Sequence, residues 1–191
     1  MWTHQIKTPI AAMHLLLQEE ETPVSKELQG ELFQVEQYVQ MALQYLRMER
    51  MNTDLVFEKQ ELDDLIHQAV RKYAPLFIRR KIALQYEDVH CQILTDEKWL
   101  EFVLEQVLSN ALKYTRKGKI KIYMDPQSPK TLVIEDTGIG IAPEDLPRVF
   151  ERGYTGYNGR TDKRSTGIGL YLCRQIMDLS LIHISEPTRR S

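Results

Sequence analysis

Five groups of residues have types and spacings that could do chemistry. Asp136-Thr137-Gly138-Ile139-Gly140 follows a strand-like run and opens a loop. An aspartate at a strand end can accept a hydrogen bond from an exocyclic amine such as N6 of adenine. Guanine carries an acceptor there, so a carboxylate selects against it. Gly138 and Gly140 permit a close backbone approach that a Cβ would block. The same five residues also read as an Asx turn with glycines behind it. Thr166-Gly167-Ile168-Gly169-Leu170 opens the last helical stretch. Small residues there leave the first N–H groups free for phosphate, with help from the helix dipole. Gln106, Asn110 and Lys113 fall on one side of a helix that ends near Tyr114. Asn110 sets a neutral amide oxygen into an apolar seam, a suitable ligand for a Mg²⁺ otherwise held by phosphate and water. Lys113 offers a point charge to phosphate; in isolation the same face reads more readily as a polar rim on a core helix. Between the glycine motifs, 151–164 carries Gly153, Gly156 and Gly159 with Arg152, Arg160, Lys163 and Arg164. It has little with which to build a core, so it reads as a lid ordered by an anion.

The fifth group is His4-Gln5-Ile6-Lys7-Thr8-Pro9. A proline inside a helix removes the bond to the Gln5 carbonyl and costs about 3 kcal/mol. Neutral imidazole is abundant near pH 7 and is a competent nucleophile toward phosphorus. Thr8 lies one turn beyond His4, where its hydroxyl could position a water. His14, His67 and His90 carry no assigned role.

These residues need elements to hold them. Ile6, Ile10, Met13 and Leu17 form the seam of one helix. Thr22, Pro23 and Ser25 interrupt it, and Ser25 is placed to cap a second helix whose seam is Leu28, Leu32, Val35, Val39, Ala42 and Leu46. A hairpin of this length buries one face of each helix, and pairing two copies into a four-helix bundle is the economical way to close it. Beyond residue 52 the pattern changes. Strand-like runs are expected at 56–58, 82–86, 92–95, 119–124 and 131–135, with a turn around 125–129. Helices are expected from Leu62, from Asp96 as N-cap through Tyr114, near 144–150, and from Ile168. The layout is α+β: a helical hairpin, then an α/β sandwich with helices on one face of a mixed sheet.

Composition bounds the rest. The chain has 191 residues, with 25 Lys and Arg against 27 Asp and Glu and a net charge of −2, so a nucleic-acid partner lacks its electrostatic footprint. No apolar run approaches the roughly 20 residues of a membrane helix. Cys91 and Cys173 read as half-buried free thiols of a reducing, cytoplasmic setting.

Taken together the motifs resemble the catalytic core of bacterial sensor histidine kinases across about 1–178, and most of all the intramembrane-sensing kinases that work with peptide-antibiotic ABC transporters. His4–Pro9 resembles the phosphoacceptor box, Gln106–Thr115 the N box, Asp136–Ile141 and Thr166–Leu170 the two glycine boxes, and Phe150–Gly153 the phenylalanine box. The resemblance implies 1–52 as a homodimerising phosphotransfer hairpin and 53–178 as a GHKL-type ATP-binding domain. It implies that His4 attacks the γ-phosphate of ATP and that the phosphoryl group passes to an aspartate of a response regulator. In that scheme Asn110 holds Mg²⁺, Lys113 and Tyr114 contact the nucleotide, Asp136 reads adenine, and Thr8 positions water for dephosphorylation. The parent protein is then expected in the bacterial cell membrane, with this region cytoplasmic, in envelope or antimicrobial-peptide stress.

Three departures stand out. Gln5 occupies a place where many relatives carry an acid, and it cannot take a proton at neutral pH. Gln106 stands where the N box usually begins with Asn. Relatives continue into two more strands with a Gly-Thr, whereas Leu179–Arg189 resembles the in-frame translation of a sequencing adapter, so 179–191 is expected to be non-native and the domain cut short. Two other classes stay open: an ATP-binding scaffold or phosphatase-biased variant, favoured by Gln5, and a chaperone- or mismatch-repair-type ATPase of the same fold, disfavoured by a histidine on a dimerising hairpin.

Overall fold

The computed structural model describes residues 2–19, 22–48, 55–156 and 166–180, and the chain divides into two units, Met1–Asp54 and Leu55–Ser191. The first unit is a hairpin of α1 (Trp2–Gln18), with Pro9 inside it, and α2 (Pro23–Met48). The entry to α2 corrects one expectation. Thr22, not Ser25, is the residue ahead of the helix, with Pro23 in its first turn. Thr22 Oγ1 accepts from the Ser25 N–H (3.0 Å) while Ser25 Oγ accepts from the Thr22 N–H (2.9 Å), a reciprocal cap that satisfies two donors at once. Ser25 is buried as a result. Gln29 Nε2 donates to the Leu17 carbonyl (2.8 Å), and His14 lies 3.2 Å from Glu36, so the two helices are tied at both polar and apolar positions.

Within a single copy the seam stays open. Ile10 and Leu32 are buried, but Met13, Leu28, Val35 and Leu46 remain 42–65% exposed. That much apolar surface is costly in water at roughly 25 cal/mol per Å².

The second unit begins with β1 (Glu58–Glu61), two residues later than the apolar run at 56–58 suggests. It pairs antiparallel with β3 (Gln92–Thr95), Glu58 opposite Thr95, and the pairing rather than the apolar content sets its limits. Val56 and Phe57 stay exposed. Between them α3 (Leu62–Arg80) continues through Pro75. It ends at Lys81 in the left-handed conformation (φ 54°), whose N–H returns to the Ile78 carbonyl. After β2 (Ala83–Tyr86) and β3 comes α4 (Glu97–Tyr114), capped by Asp96, whose Oδ1 accepts from the Trp99 N–H at 3.2 Å. Asp96 is therefore the cap its position indicates.

β4 (Lys119–Asp125) and β5 (Ser128–Asp136) form a hairpin tighter than expected, because Ser128 already pairs with Asp125. β2 lies parallel to β4, giving a mixed three-stranded sheet in the order β2-β4-β5, separate from the β1-β3 pair. The helix expected at 144–150 is a single 3₁₀ turn, Leu146–Arg148. The last helix, α5 (Gly169–Leu179), follows Ile168. Most of the stretch expected to be non-native, 179–191, lies outside the described residues from 181 onward, as does most of the Arg- and Lys-bearing loop, 157–165.

The core lies between the helices and the sheet: Leu65, Ile66 and Tyr73 from α3, Leu108 and Leu112 from α4, Ile120 and Ile122 from β4, Leu172 and Ile176 from α5. Ile120 and Ile122 alternate with half-exposed lysines on β4, the period-2 pattern of a sheet covered on one face. A polar strut crosses this core. Lys72 Nζ donates to both oxygens of Glu105 at 2.6 Å, and Glu105 is only 5% exposed. Burial, aided by the Glu105 charge, pushes the Tyr73 hydroxyl well above its ordinary pKa. Cys173 is wholly buried rather than half-buried, and desolvation pushes its thiol up to about 12; Cys91 is the half-buried one.

Candidate functional site

α4 is the element on which the chemistry-bearing segments converge. Its apolar side faces α3 and the sheet, which leaves Gln106, Asn110, Lys113 and Tyr114 half-exposed along the other side. Lys113 Nζ lies 5.3 Å from the Tyr114 ring centre, within cation–π range. The Asn110 amide makes no hydrogen bond to the described residues. A half-buried neutral carbonyl oxygen with no partner among the described residues fits a hard divalent cation that keeps most of its shell from phosphate and water.

The loop after β5 docks on the last turn of this helix. Asp136 pairs with Ile120 at the end of β5, so the sheet sets the position of its carboxylate. Asp136 Oδ1 accepts from the Gly138 N–H at 2.8 Å and lies 3.4 Å from Thr115 Oγ1. Among the described residues Oδ2 is left unengaged. The Ile139 N–H then donates to the Tyr114 carbonyl at 3.2 Å. Gly138 is required for this closeness: a Cβ there would stand 2.6 Å from the Tyr114 carbonyl oxygen. Gly140 has φ 70° and open space around it, so conformation alone, not crowding, calls for glycine.

Two threonines hold this loop that the sequence does not single out. Thr115 is fully buried beside Asp136. Thr137 Oγ1 accepts from the Lys119 N–H (2.9 Å), and its N–H donates to the Lys119 carbonyl (3.1 Å), fastening the loop to the start of β4. A Thr directly after the polar helix face and another directly after Asp136 were the available signals.

The second glycine motif meets the same helix one turn earlier. Gly169 is buried, and a Cβ on it would lie 2.6 Å from Gln106 Cδ and Nε2. Thr166 Oγ1 faces the Ile168 N–H at 3.4 Å, at the N-terminal end of α5, while Ile168 and Leu170 are half-exposed. Gly167 has φ 67°, and its carbonyl accepts from the Gly153 N–H at 2.9 Å. A Cβ at 167 would fall 2.5 Å from the Gly153 carbonyl carbon, so two glycine backbones press together where the segment between them leaves and returns.

The approach to that neck is braced. Tyr154 donates its hydroxyl to Asp145, and Arg148 lies 4.2 Å above the Tyr154 ring. Arg148 also donates to Glu151 at 3.0 Å, a bond that raises its pKa further above its already high value. Arg174 of α5 lies 5.9 Å from the Phe150 ring centre.

The structure thus brings together Asn110, Lys113, Tyr114, Asp136, Gly138 and Gly140, with 166–170 alongside through Gln106. Gln5 and Thr8 stand exposed on α1 in the other unit, and the backbone of His4 lies in the same helix. The His4 side chain lies outside the described residues.

Comparison with known proteins places this geometry. Residues 95–190 match the family described as histidine kinase-, DNA gyrase B-, and HSP90-like ATPase. Over 186 residues the chain is 37% identical to the sensor protein BceS of Halalkalibacterium halodurans, covering 96% of this chain and 56% of that protein. It is 36% identical over 183 residues to the sensor histidine kinase YxdK of Bacillus subtilis, covering 93% of this chain and 56% of that one. The chain therefore spans about half the length of the curated relatives it matches. Among solved structures, full-length ShkA in complex with AMPPNP superimposes with a TM-score of 0.60 at 21% identity, over 93% of this chain and 39% of that one. That likeness extends the shared fold over both units. The chain belongs to the histidine kinase-, DNA gyrase B-, and HSP90-like ATPase family, and the relatives it resembles over both units are sensor histidine kinases.

Proposed function

We propose that the chain is the catalytic core of a protein-histidine kinase that binds ATP with Mg²⁺ in its second unit and phosphorylates His4 in its first. An imidazole nitrogen of His4 forms the new N–P bond, the bond from the γ-phosphorus to the bridging oxygen breaks, and ADP leaves. The phosphoryl group then passes to an aspartate of a response regulator. The observation that carries this is the convergence of Asn110, the Asp136 loop and the start of α5 on one helix, in a chain that also bears a histidine on a helical hairpin.

Each residue has a role in this scheme. Asp136, held on Oδ1 by the Gly138 N–H, turns Oδ2 to the adenine amino group. Asn110 holds Mg²⁺, which screens the phosphate charge when bound. Lys113 and Tyr114 flank the nucleotide, and the N–H groups at the start of α5 bind phosphate oxygens. Gln5 steadies the imidazole through its amide without taking a proton, and Thr8 positions a water for the reverse, dephosphorylating reaction.

The exposed seam of Met13, Leu28, Val35 and Leu46 supports a homodimer closed as a four-helix bundle. The parent protein would sit in the bacterial cell membrane beside a peptide-antibiotic ABC transporter, with these domains in the cytoplasm and 179–191 not native to it. No described helix of this chain is long and apolar enough to cross a membrane.

Incubation with γ-labelled ATP and Mg²⁺ tests the scheme. The expected result is acid-labile label on the chain that disappears in His4→Ala. Label that survives this change identifies another nucleophile. Nucleotide binding without label selects instead a scaffold or phosphatase-biased protein, the alternative that the neutral Gln5 favours.

A further inference from the structure

We propose that Gln106 is a positioning residue that works by shape: its side-chain amide seats on the bare Cα of Gly169 and sets the first turn of α5 against α4. The inference rests on the nucleotide-binding reading above and assigns a task to a residue at which the chain departs from the usual asparagine. Gly169 is buried, and the space its side chain would occupy is already filled. A Cβ there would come within 2.6 Å of both Cδ and Nε2 of Gln106 and 3.1 Å of Oε1. The amide thus lies flat on the backbone rather than reaching past it. It makes no hydrogen bond to the described residues, so what it supplies is volume.

The location gives that volume a consequence. Gln106 and Asn110 are one turn apart on the same face of α4, and Gly169 is the first residue of α5. The contact therefore fixes the distance between the amide offered to the cation and the N–H groups offered to phosphate. An asparagine is one methylene shorter and would leave a gap at this point. The deep packing between the two helices involves other residues: Ile176 and Met177 of α5 gather with Trp99 and Leu100 of α4, all four buried. They hold the fold together when Gln106 changes, so the effect of a substitution falls on ligand geometry. Misplacement of binding groups by about an ångström is enough to cost one or two orders of magnitude.

The test is the affinity of the chain for a fluorescent ATP analogue with Mg²⁺, with thermal unfolding as the control for folding. Gln106→Ala should weaken binding on the order of tenfold with the unfolding midpoint nearly unchanged. Gln106→Met keeps the length without the amide and should bind within about twofold of the parent chain. Gly169→Ala should match Gln106→Ala, because its methyl displaces only the flexible end of Gln106. If Met is as weak as Ala, the amide itself touches the ligand or its cation and the shape argument is wrong. If Ala and Met both bind like the parent chain, Gln106 positions nothing. Failure of the unsubstituted chain to bind the analogue removes the nucleotide-binding reading itself, and the inference with it.

Discussion

Asp96 offers the most direct test of how the second unit is held, because one carboxylate does two jobs. Oδ1 accepts from the Trp99 N–H at 3.2 Å and caps α4, while Oδ2 accepts from the Val56 N–H at 2.9 Å and fixes the chain ahead of β1. Replacing the residue with alanine removes a helix cap, worth about 1 kcal/mol. It also removes a second bond worth about 0.5–1.5 kcal/mol. Val56 is 61% exposed, so water takes over part of that bond and the lower half of the range applies. The sum is about 1.5–2 kcal/mol, or roughly 5–8 °C in midpoint for a unit of this size. Asparagine caps as well as aspartate but has a single acceptor oxygen, so Asp96→Asn should lose about half as much. Trp99 stands at the cap and is 8% exposed, which makes its fluorescence a local reporter once Trp2, the other tryptophan, is changed to Phe. Urea unfolding followed at Trp99 should give the order Asp, Asn, Ala with an unchanged slope. An Asn variant as stable as the parent would show that Oδ2 contributes nothing, and an Ala variant within about 0.3 kcal/mol would refute both contributions.

Further outcomes follow from single contacts. Gly167→Ala puts a Cβ 2.5 Å from the Gly153 carbonyl carbon at φ 67°, where a non-glycine residue costs about 1–2 kcal/mol. The expected result is at least tenfold weaker nucleotide binding together with a Trp99 transition lowered by about 1–2 kcal/mol; unchanged binding would detach the neck from the site. At Asp63, burial disfavours the carboxylate, but bonds from the Tyr86 hydroxyl and the Val89 and His90 N–H groups outweigh it and lower its pKa below 3.8. A lowered pKa stabilises the fold above the unfolded value, and that contribution fades as pH falls through the folded one. The stability gap between the parent and Asp63→Asn should therefore be full at neutral pH and shrink below about 3.8; a gap that widens in acid contradicts the assignment. A thiol-reactive dye should label Cys91 alone in the native chain and Cys173 only after unfolding, since Cys173 is buried with its thiol pushed up to about 12. Two labels on the native chain would mean that α5 opens.

What could be read in advance was whatever is written in local spacing. The caps and seams belong to that kind: Asp96 before α4, the apolar face from Leu100 to Ala111, the run at Gln92–Thr95 that is β3 residue for residue. The three segments of the candidate site are legible because glycine, Asp and Asn interrupt patterns that otherwise favour burial. What escaped depends on partners far along the chain. Asp63 reads as a first-turn acid suited to the helix dipole, yet it binds residues 23–27 positions away. Val56 and Phe57 look more strand-like than Glu58–Glu61, but only the latter find a partner strand. The split into two sheets and the seating of Gln106 on Gly169 follow likewise from pairings that no periodicity records.

The contact of Gly153 with Gly167 has a consequence for how the segment between them can vary. Closing a loop costs entropy that grows only with the logarithm of its length, so doubling it adds about 0.6 kcal/mol. Because the two ends are pinned to each other by a backbone bond of 2.9 Å, extra residues placed between them leave both glycine positions where they are. Length and composition there can drift, or be engineered with inserted sequence, while the frame of the site stays fixed. Change in that segment is in this way insulated from the groups that the site must hold in place.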